Sequence, residues 1–231
     1  MNAVPERDTQ RVQQLLQIEL SDELCELALT HRSFAYEHGG LPTNERLEFL
    51  GDSVLGQAVT VRLFQDHPEL EEGELAKRRA SLVSTISLAQ IAREIGLGEF
   101  IRLGKGESLS GGANKDSILA DTVEALIGAT FLGAGAEAAT ALVERLIGPV
   151  MSRPDRLDAV GDPKTNLQEY AARVSAAPPS YEIEASGPDH NRHYVATVWV
   201  ATVTGRGEGS SKKNAEMAAA RDAWAQLETA E

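Results

Sequence analysis

Cysteine is nearly missing from this chain of 231 residues, where Cys25 stands alone. One thiol cannot close an intramolecular disulfide or build a multi-cysteine zinc site. Aromatic residues make up only 5%, so the core has to be assembled from Leu, Ile, Val and Ala. The first ten residues are polar, without the apolar stretch of an export signal, and no long apolar run is expected further on. These absences point to a soluble, cytoplasmic protein with no membrane partner. An excess of positive charge is lacking too. The net charge is −13; residues 1–156 carry 15 basic and 24 acidic side chains (net −9), and residues 157–231 carry 7 and 11 (net −4). A nucleic acid could therefore be held only by local patches and bound metal ions, not by a global positive field. No Ser-His-Asp order with supporting context appears. The glycines from Gly104 to Gly112 lack the strand-Gly-Lys-Ser arrangement of a phosphate-binding loop and read as a loop that could lie near a nucleic acid.

What is present falls into two parts. Hydrophobic content of 42% supports a proper core. Apolar spacing predicts helices over residues 7–18, 22–29, 44–64, 74–83, 87–95, 116–132 and 137–151. Residues 152–163 contain two prolines and few large apolar groups, which suits a linker. Beyond it the period changes. A helix over 165–174 stops at Pro178 and Pro179, alternating residues predict strands over 181–186 and 194–201, and residues 202–208 can form a third, loosened at its end by Gly205 and Gly207. An Ala-rich helix from Ser211 to Leu227 completes an α-β-β-β-α order.

Charge patterning carries the chemistry. Glu45, Glu48 and Asp52 stand three and four residues apart, on one face of a helix whose other side holds Leu47, Leu50, Val54 and Leu55. A second pair, Asp121 and Glu124, sits three residues apart among Ile118, Leu119, Val123, Leu126 and Ile127. Either pair alone could be a solvated helix face. Two such helices together describe an oxygen-only pocket, which suits Mg²⁺ or Mn²⁺ rather than zinc. Such a pocket can activate water for in-line attack on a phosphodiester. Cys25, in an apolar helix, reads as an inert core residue.

The segment Asn44-Glu45-Arg46-Leu47-Glu48-Phe49-Leu50-Gly51-Asp52-Ser53-Val54-Leu55 closely resembles the signature of the ribonuclease III family of double-stranded-RNA endonucleases. Ser117 to Leu126, preceded by Asn114-Lys115-Asp116, resembles that family's second acidic motif. The resemblance implies Glu48, Asp121 and Glu124 as metal ligands and Asp52 and Glu124 as the essential catalytic carboxylates. It also implies that Glu45 and Glu72 shape an RNA cleavage valley, although either could be plain surface charge. Phe49 would plug a socket on a second subunit of a homodimer, the alternative being a core position. Thr30-His31-Arg32-Ser33 also matches and reads as a structural hydrogen-bonding element.

The C-terminal part resembles a double-stranded-RNA-binding domain, with Thr165 and Gln168 on its first helix, His190 in a turn and Lys212 and Lys213 opening its last helix. Modules of this kind recognise A-form shape, 2′-hydroxyls and phosphates. Glu216 departs from the strongest binders, where a third lysine stands. The fold expected is an all-α ribonuclease III domain over 8–134, its last helix reaching about 152, then a linker over 153–162 and a small α+β RNA-binding domain over 163–229. The function implied is Mg²⁺-dependent cleavage of double-stranded RNA, with Mn²⁺ as substitute and no small-molecule substrate. Products would carry 5′-phosphate and 3′-hydroxyl ends with short 3′ overhangs, from precursors such as ribosomal RNA and some mRNAs. A non-catalytic RNA-binding regulator and a nuclease acting on DNA are the rival readings. Four clustered carboxylates serve no purpose in the first, and 2′-hydroxyl contacts oppose the second.

Overall fold

The computed structural model describes residues 6–151, 163–188 and 192–228. The chain forms two compact units, divided after Leu157. The linker expected over 153–162 and the turn residue His190 lie outside the described residues.

The first unit is helical: α1 (Glu6–Leu16), α2 (Asp22–Ala28), α3 (Arg32–Glu37), α4 (Glu45–Asp66), α5 (Glu72–Leu82), α6 (Thr85–Glu94), α7 (Lys105–Leu109) and α8 (Asp116–Met151). Short polar side chains set several starts. Ser21 Oγ accepts the Leu24 N–H at 3.3 Å, and Ser84 Oγ accepts the Ser87 N–H at 3.2 Å, each satisfying a donor the helix leaves orphaned. Asn44 does something else. Its amide donates to the Ala28 carbonyl at 3.3 Å, which pins the start of α4 to the end of α2. Aliphatic residues fill the core as expected, Leu29, Leu55, Leu88, Leu126 and Ile147 among them. Cys25 is buried there, and desolvation with the charges of Asp22 and Glu26 pushes its thiol up to about 11, which makes it unreactive.

Two short helices depart from the expected pattern. α3 is started by His31, whose Nδ1 accepts the Ser33 N–H at 3.2 Å. α7 replaces the loop expected between Gly104 and Gly112. Ser33 Oγ accepts the Gly104 N–H at 2.9 Å, and Glu37 Oε2 accepts the Lys105 N–H at 3.0 Å. Those partners lie 71 and 68 residues upstream, so no local pattern announces them. α8 corrects a third expectation, because it is long and apolar enough to pass for a membrane span. Its apolar side chains are the core of the unit: Leu119, Val123, Leu126, Ile127, Leu142 and Ile147 are buried. Its backbone also breaks at Gly135, at φ 90° and ψ 175°, a conformation that glycine alone adopts readily.

α4 and α8 cross with their backbones nearly touching. A Cβ on Gly51 would stand 1.8 Å from the Glu124 carbonyl oxygen, and one on Gly128 would stand 2.2 Å from the Leu47 carbonyl oxygen. Each helix supplies one glycine and one carbonyl to the crossing.

The second unit has the expected α-β-β-β-α order: α9 (Pro163–Arg173), β1 (Ser180–Ser186), β2 (His193–Val200), β3 (Val203–Gly209) and α10 (Lys212–Glu228). The strands form an antiparallel sheet in sequence order, with Ile183 opposite Ala196 and Thr197 opposite Arg206. Ala215, Ala219, Ala220 and Ala223 of α10 pack with Leu167, Ala171, Val198 and Val200. Gly205 and Gly207 do not loosen the third strand. A Cβ on either would lie 2.3 or 2.1 Å from the Ala219 backbone. Bare backbone lets α10 rest directly on β3, and the strand continues to Gly209.

The crossing sets a test. Gly51→Ala or Gly128→Ala should destabilise the first unit by about 1–3 kcal/mol or more, as overpacking does. Gly56→Ala, at a helical position where a Cβ meets nothing within 4 Å, should be neutral or stabilising by up to about 1 kcal/mol. Equal melting temperatures for all three variants would refute the close-crossing account.

Candidate functional site

The glycine crossing delivers the carboxylates. Glu48 follows Leu47, whose carbonyl meets Gly128, and Glu124 carries the carbonyl that meets Gly51. Glu48, Asp121 and Glu124 each offer one oxygen, and the three oxygens lie within 4.8 Å of one another. All three residues are half-buried. Asp52 is exposed one turn beyond Glu48, and its charge is the largest electrostatic influence on Glu124. Glu45 is exposed at the margin. It accepts from Thr43 Oγ1 at 2.9 Å, lies 4.0 Å from Arg32 Nη1, and its charge reaches Glu48 and Asp121.

Burial and mutual repulsion push these acids toward their protonated forms. The Glu124 carboxyl is pushed up to about 8, by desolvation first and then by Asp52, Asp121 and Glu48. Glu48 is raised by desolvation, then by Asp121, Glu45 and Asp52. Asp121 is raised by desolvation, against the pull of His31 and Arg32. A hard divalent cation relieves this arrangement, because the donors are all carboxylate oxygens that would share its charge. Glu48, Asp121 and Glu124 are the residues that could hold it.

Several supports escaped the sequence reading. Arg93 holds the start of α8: its Nε donates to Asn114 Oδ1 at 2.6 Å, one Nη donates to the Asn114 carbonyl at 2.8 Å, and it pairs with Asp116. Lys115 pairs with Glu107. Thr30 and His31 do serve as structural hydrogen-bonding residues, Thr30 Oγ1 donating to the Glu26 carbonyl at 2.6 Å. His31 and Arg32 also sit close enough to influence Asp121, which their sequence did not signal. For Gly51 and Gly128 a signal existed, since a glycine inside a helix is unfavourable and asks for a packing reason.

Other candidates stand apart from the carboxylates. Glu72 opens α5 and lines a groove with Phe64, Leu75 and Arg79. Phe49 is 79% exposed on α4, on a helix where Phe64 is also exposed, so it is not a core residue of this chain. In the second unit Thr165 and Gln168 are exposed one turn apart on α9, and Lys212 and Lys213 are exposed in the first turn of α10. Ser211 Oγ accepts the Asn214 N–H at 3.2 Å at that helix start.

A helical unit centred on an acid cluster, joined to a unit of α-β-β-β-α order, defines a class of multidomain nucleic-acid enzyme. Comparison with known proteins agrees for both parts. Residues 21–150 match the family described as ribonuclease-III-like, and residues 163–227 match the double-stranded RNA binding motif. A protein named Ribonuclease 3 from Leifsonia xyli is 63% identical over 92% of this chain and 90% of its own length. Another of that name from Thermobifida fusca is 52% identical over 96% and 93%. The solved nuclease domain of ribonuclease III from Campylobacter jejuni, described for structural flexibility in a region involved in dimer formation, covers 61% of this chain and 96% of its own, at 44% identity and a TM-score of 0.57. The chain belongs to the ribonuclease III family.

The raised Glu124 carboxyl makes a prediction about pH. Between the ordinary glutamate value and about 8, the metal-free folded state binds more protons than the unfolded state, so stability falls as pH rises through that window. Thermal unfolding in chelator should therefore drop from pH 5 toward pH 8, and Glu124→Gln should flatten the trend. Adding Mg²⁺ should restore stability most at the alkaline end, because cation uptake requires the ionised form. A chelated protein as stable at pH 8 as at pH 5 would contradict the electrostatics.

Proposed function

We infer that the protein hydrolyses phosphodiester bonds in double-stranded RNA with a divalent cation, Mg²⁺ or Mn²⁺ in its place. The observation that carries this reading is the meeting of acids from two helices at the α4–α8 crossing, in a chain that also carries a double-stranded RNA binding motif. Glu48, Asp121 and Glu124 would hold the cation. Bound there, it would lower the pKa of water and stabilise charge on the phosphodiester. Asp52, exposed one turn beyond Glu48 and the strongest charge acting on Glu124, would orient the attacking water and take up its proton. Glu45 and, more remotely, Glu72 would border the duplex.

We assign catalysis to residues 8–134 with the helix reaching about 152, and RNA anchoring to 163–229 through Thr165, Gln168, His190, Lys212 and Lys213. The first unit carries a net −9 over residues 1–156 and repels phosphate, so anchoring falls to local contacts elsewhere. The exposed aromatic Phe49 suits a contact with a second copy of the chain. A homodimer would place two such sites on opposite strands, releasing 5′-phosphate and 3′-hydroxyl ends with short 3′ overhangs. Structured precursors such as ribosomal RNA and some mRNAs in the cytoplasm are the substrates this reading implies.

A long RNA duplex incubated with Mg²⁺ should be cut, while the same duplex in chelator and a DNA duplex of equal length should survive. Glu124→Gln should lower cleavage by orders of magnitude and leave RNA affinity within a few-fold. Near-normal cleavage by that variant would reject the metal assignment. Lys212→Ala with Lys213→Ala should weaken duplex binding and reduce the slope of log K against log salt by about two. An unchanged slope would move the phosphate contacts elsewhere.

A further inference from the structure

Glu216 is anomalous by charge alone. It stands one turn beyond Lys212 and Lys213 on α10, where an acid should repel phosphate. Its carboxylate is turned inward instead, with its side chain 23% exposed, and accepts a hydrogen bond from Lys164 Nζ at 2.8 Å. Lys164 lies in the first turn of α9, and its ammonium sits 4.6 Å from the centre of the Tyr181 ring on β1. One cation therefore ties together the starts of α9, α10 and β1. Thr165 follows Lys164 directly, and Lys212 precedes Glu216 by one turn.

The packing beneath explains why such a tie matters. The core that α9 and α10 share includes Leu167, Ala171, Ala215 and Ala219, and farther along the two helices Tyr170 meets Trp224 edge-on with ring centres 6.5 Å apart. Alanines present little relief, so at the starts of the two helices the apolar packing alone does little to resist a shift of one against the other, and the aromatic contact lies farther along both. A-form RNA is recognised by the spacing of its grooves and phosphates, and a slide would misalign the contacts of α9 with those of α10. We propose that the Lys164–Glu216 pair is a brace that fixes the spacing of the two RNA-facing helices, so that this acid strengthens duplex binding. Lys164 and Glu216 are positioning residues, and this role rests on the reading that the second unit binds double-stranded RNA.

The test uses the full chain in chelator, a labelled RNA duplex somewhat longer than the roughly 16 base pairs such a module spans, and anisotropy over a range of salt. Glu216→Gln and Lys164→Met should each weaken binding about three- to ten-fold, the scale of a well-formed, partly buried ion pair. The salt slope should not change, since neither group meets phosphate. The double variant should bind no more weakly than the weaker single. Lys164→Arg, which keeps the pair, should bind like the parent. With Mg²⁺ at low salt, Glu216→Gln should raise KM and leave kcat unchanged. Tighter binding by Glu216→Gln, a slope reduced by about one in Lys164→Met, additive losses in the double variant, or a Lys164→Arg form as weak as Lys164→Met would each overturn the brace. A parent chain that does not bind the duplex would instead reject RNA anchoring by the second unit.

Discussion

Backbone contact between α4 and α8 is the constraint on which the first unit depends. Each helix gives up a side chain at the crossing, Gly51 on one and Gly128 on the other, and each meets a carbonyl of its partner. A glycine inside a helix is unfavourable by roughly 1 kcal/mol relative to alanine, so helix propensity alone opposes both positions. Close approach brings acids from two helices within ligand distance. The same approach buries those acids and raises their proton affinity. The first unit thus carries a concentration of mutually repelling acids at the crossing of α4 and α8. Sites built for function commonly give up stability in this way.

The second unit uses the same device for another end. Gly205 and Gly207 lay β3 bare, and the alanines of α10 settle onto it. Small residues permit close contact, but they provide little to hold one element in register against another. In both units polar ties contribute to that register. Asn44 fastens α4 to α2, Arg93 fastens the entrance of α8, and Lys164 with Glu216 joins α9 to α10.

What the sequence made legible was whatever depends on local spacing. The two acidic pairs were visible because three- and four-residue intervals define a helix face. The α-β-β-β-α order was visible because alternation gives way to helical period at turn residues. The short helices α3 and α7 were not, because the hydrogen bonds between them join residues about seventy positions apart. Gly205 and Gly207 read locally as loose, whereas the helix α10 farther along the chain requires them. Local spacing shows Glu216 only as an acid in a basic stretch, because its partner, Lys164, lies 52 residues away. Arg93 gave no sign at all, since nothing local distinguishes it from an exposed basic residue.

The apolar character of α8 has a consequence for how the chain is made. Residues 116–151 are the stretch most easily mistaken for a membrane segment, and they pack against α2, α4 and α6. All three partners precede α8 in the chain. As the polypeptide leaves the ribosome, the surfaces that will cover this segment are already outside, so the greasiest helix is the last of the first unit to emerge, into a waiting receptor. A circular permutation that placed α8 first would reverse that order. It would present a nascent apolar helix to chaperones and membranes before any partner existed, even though the finished fold would be the same.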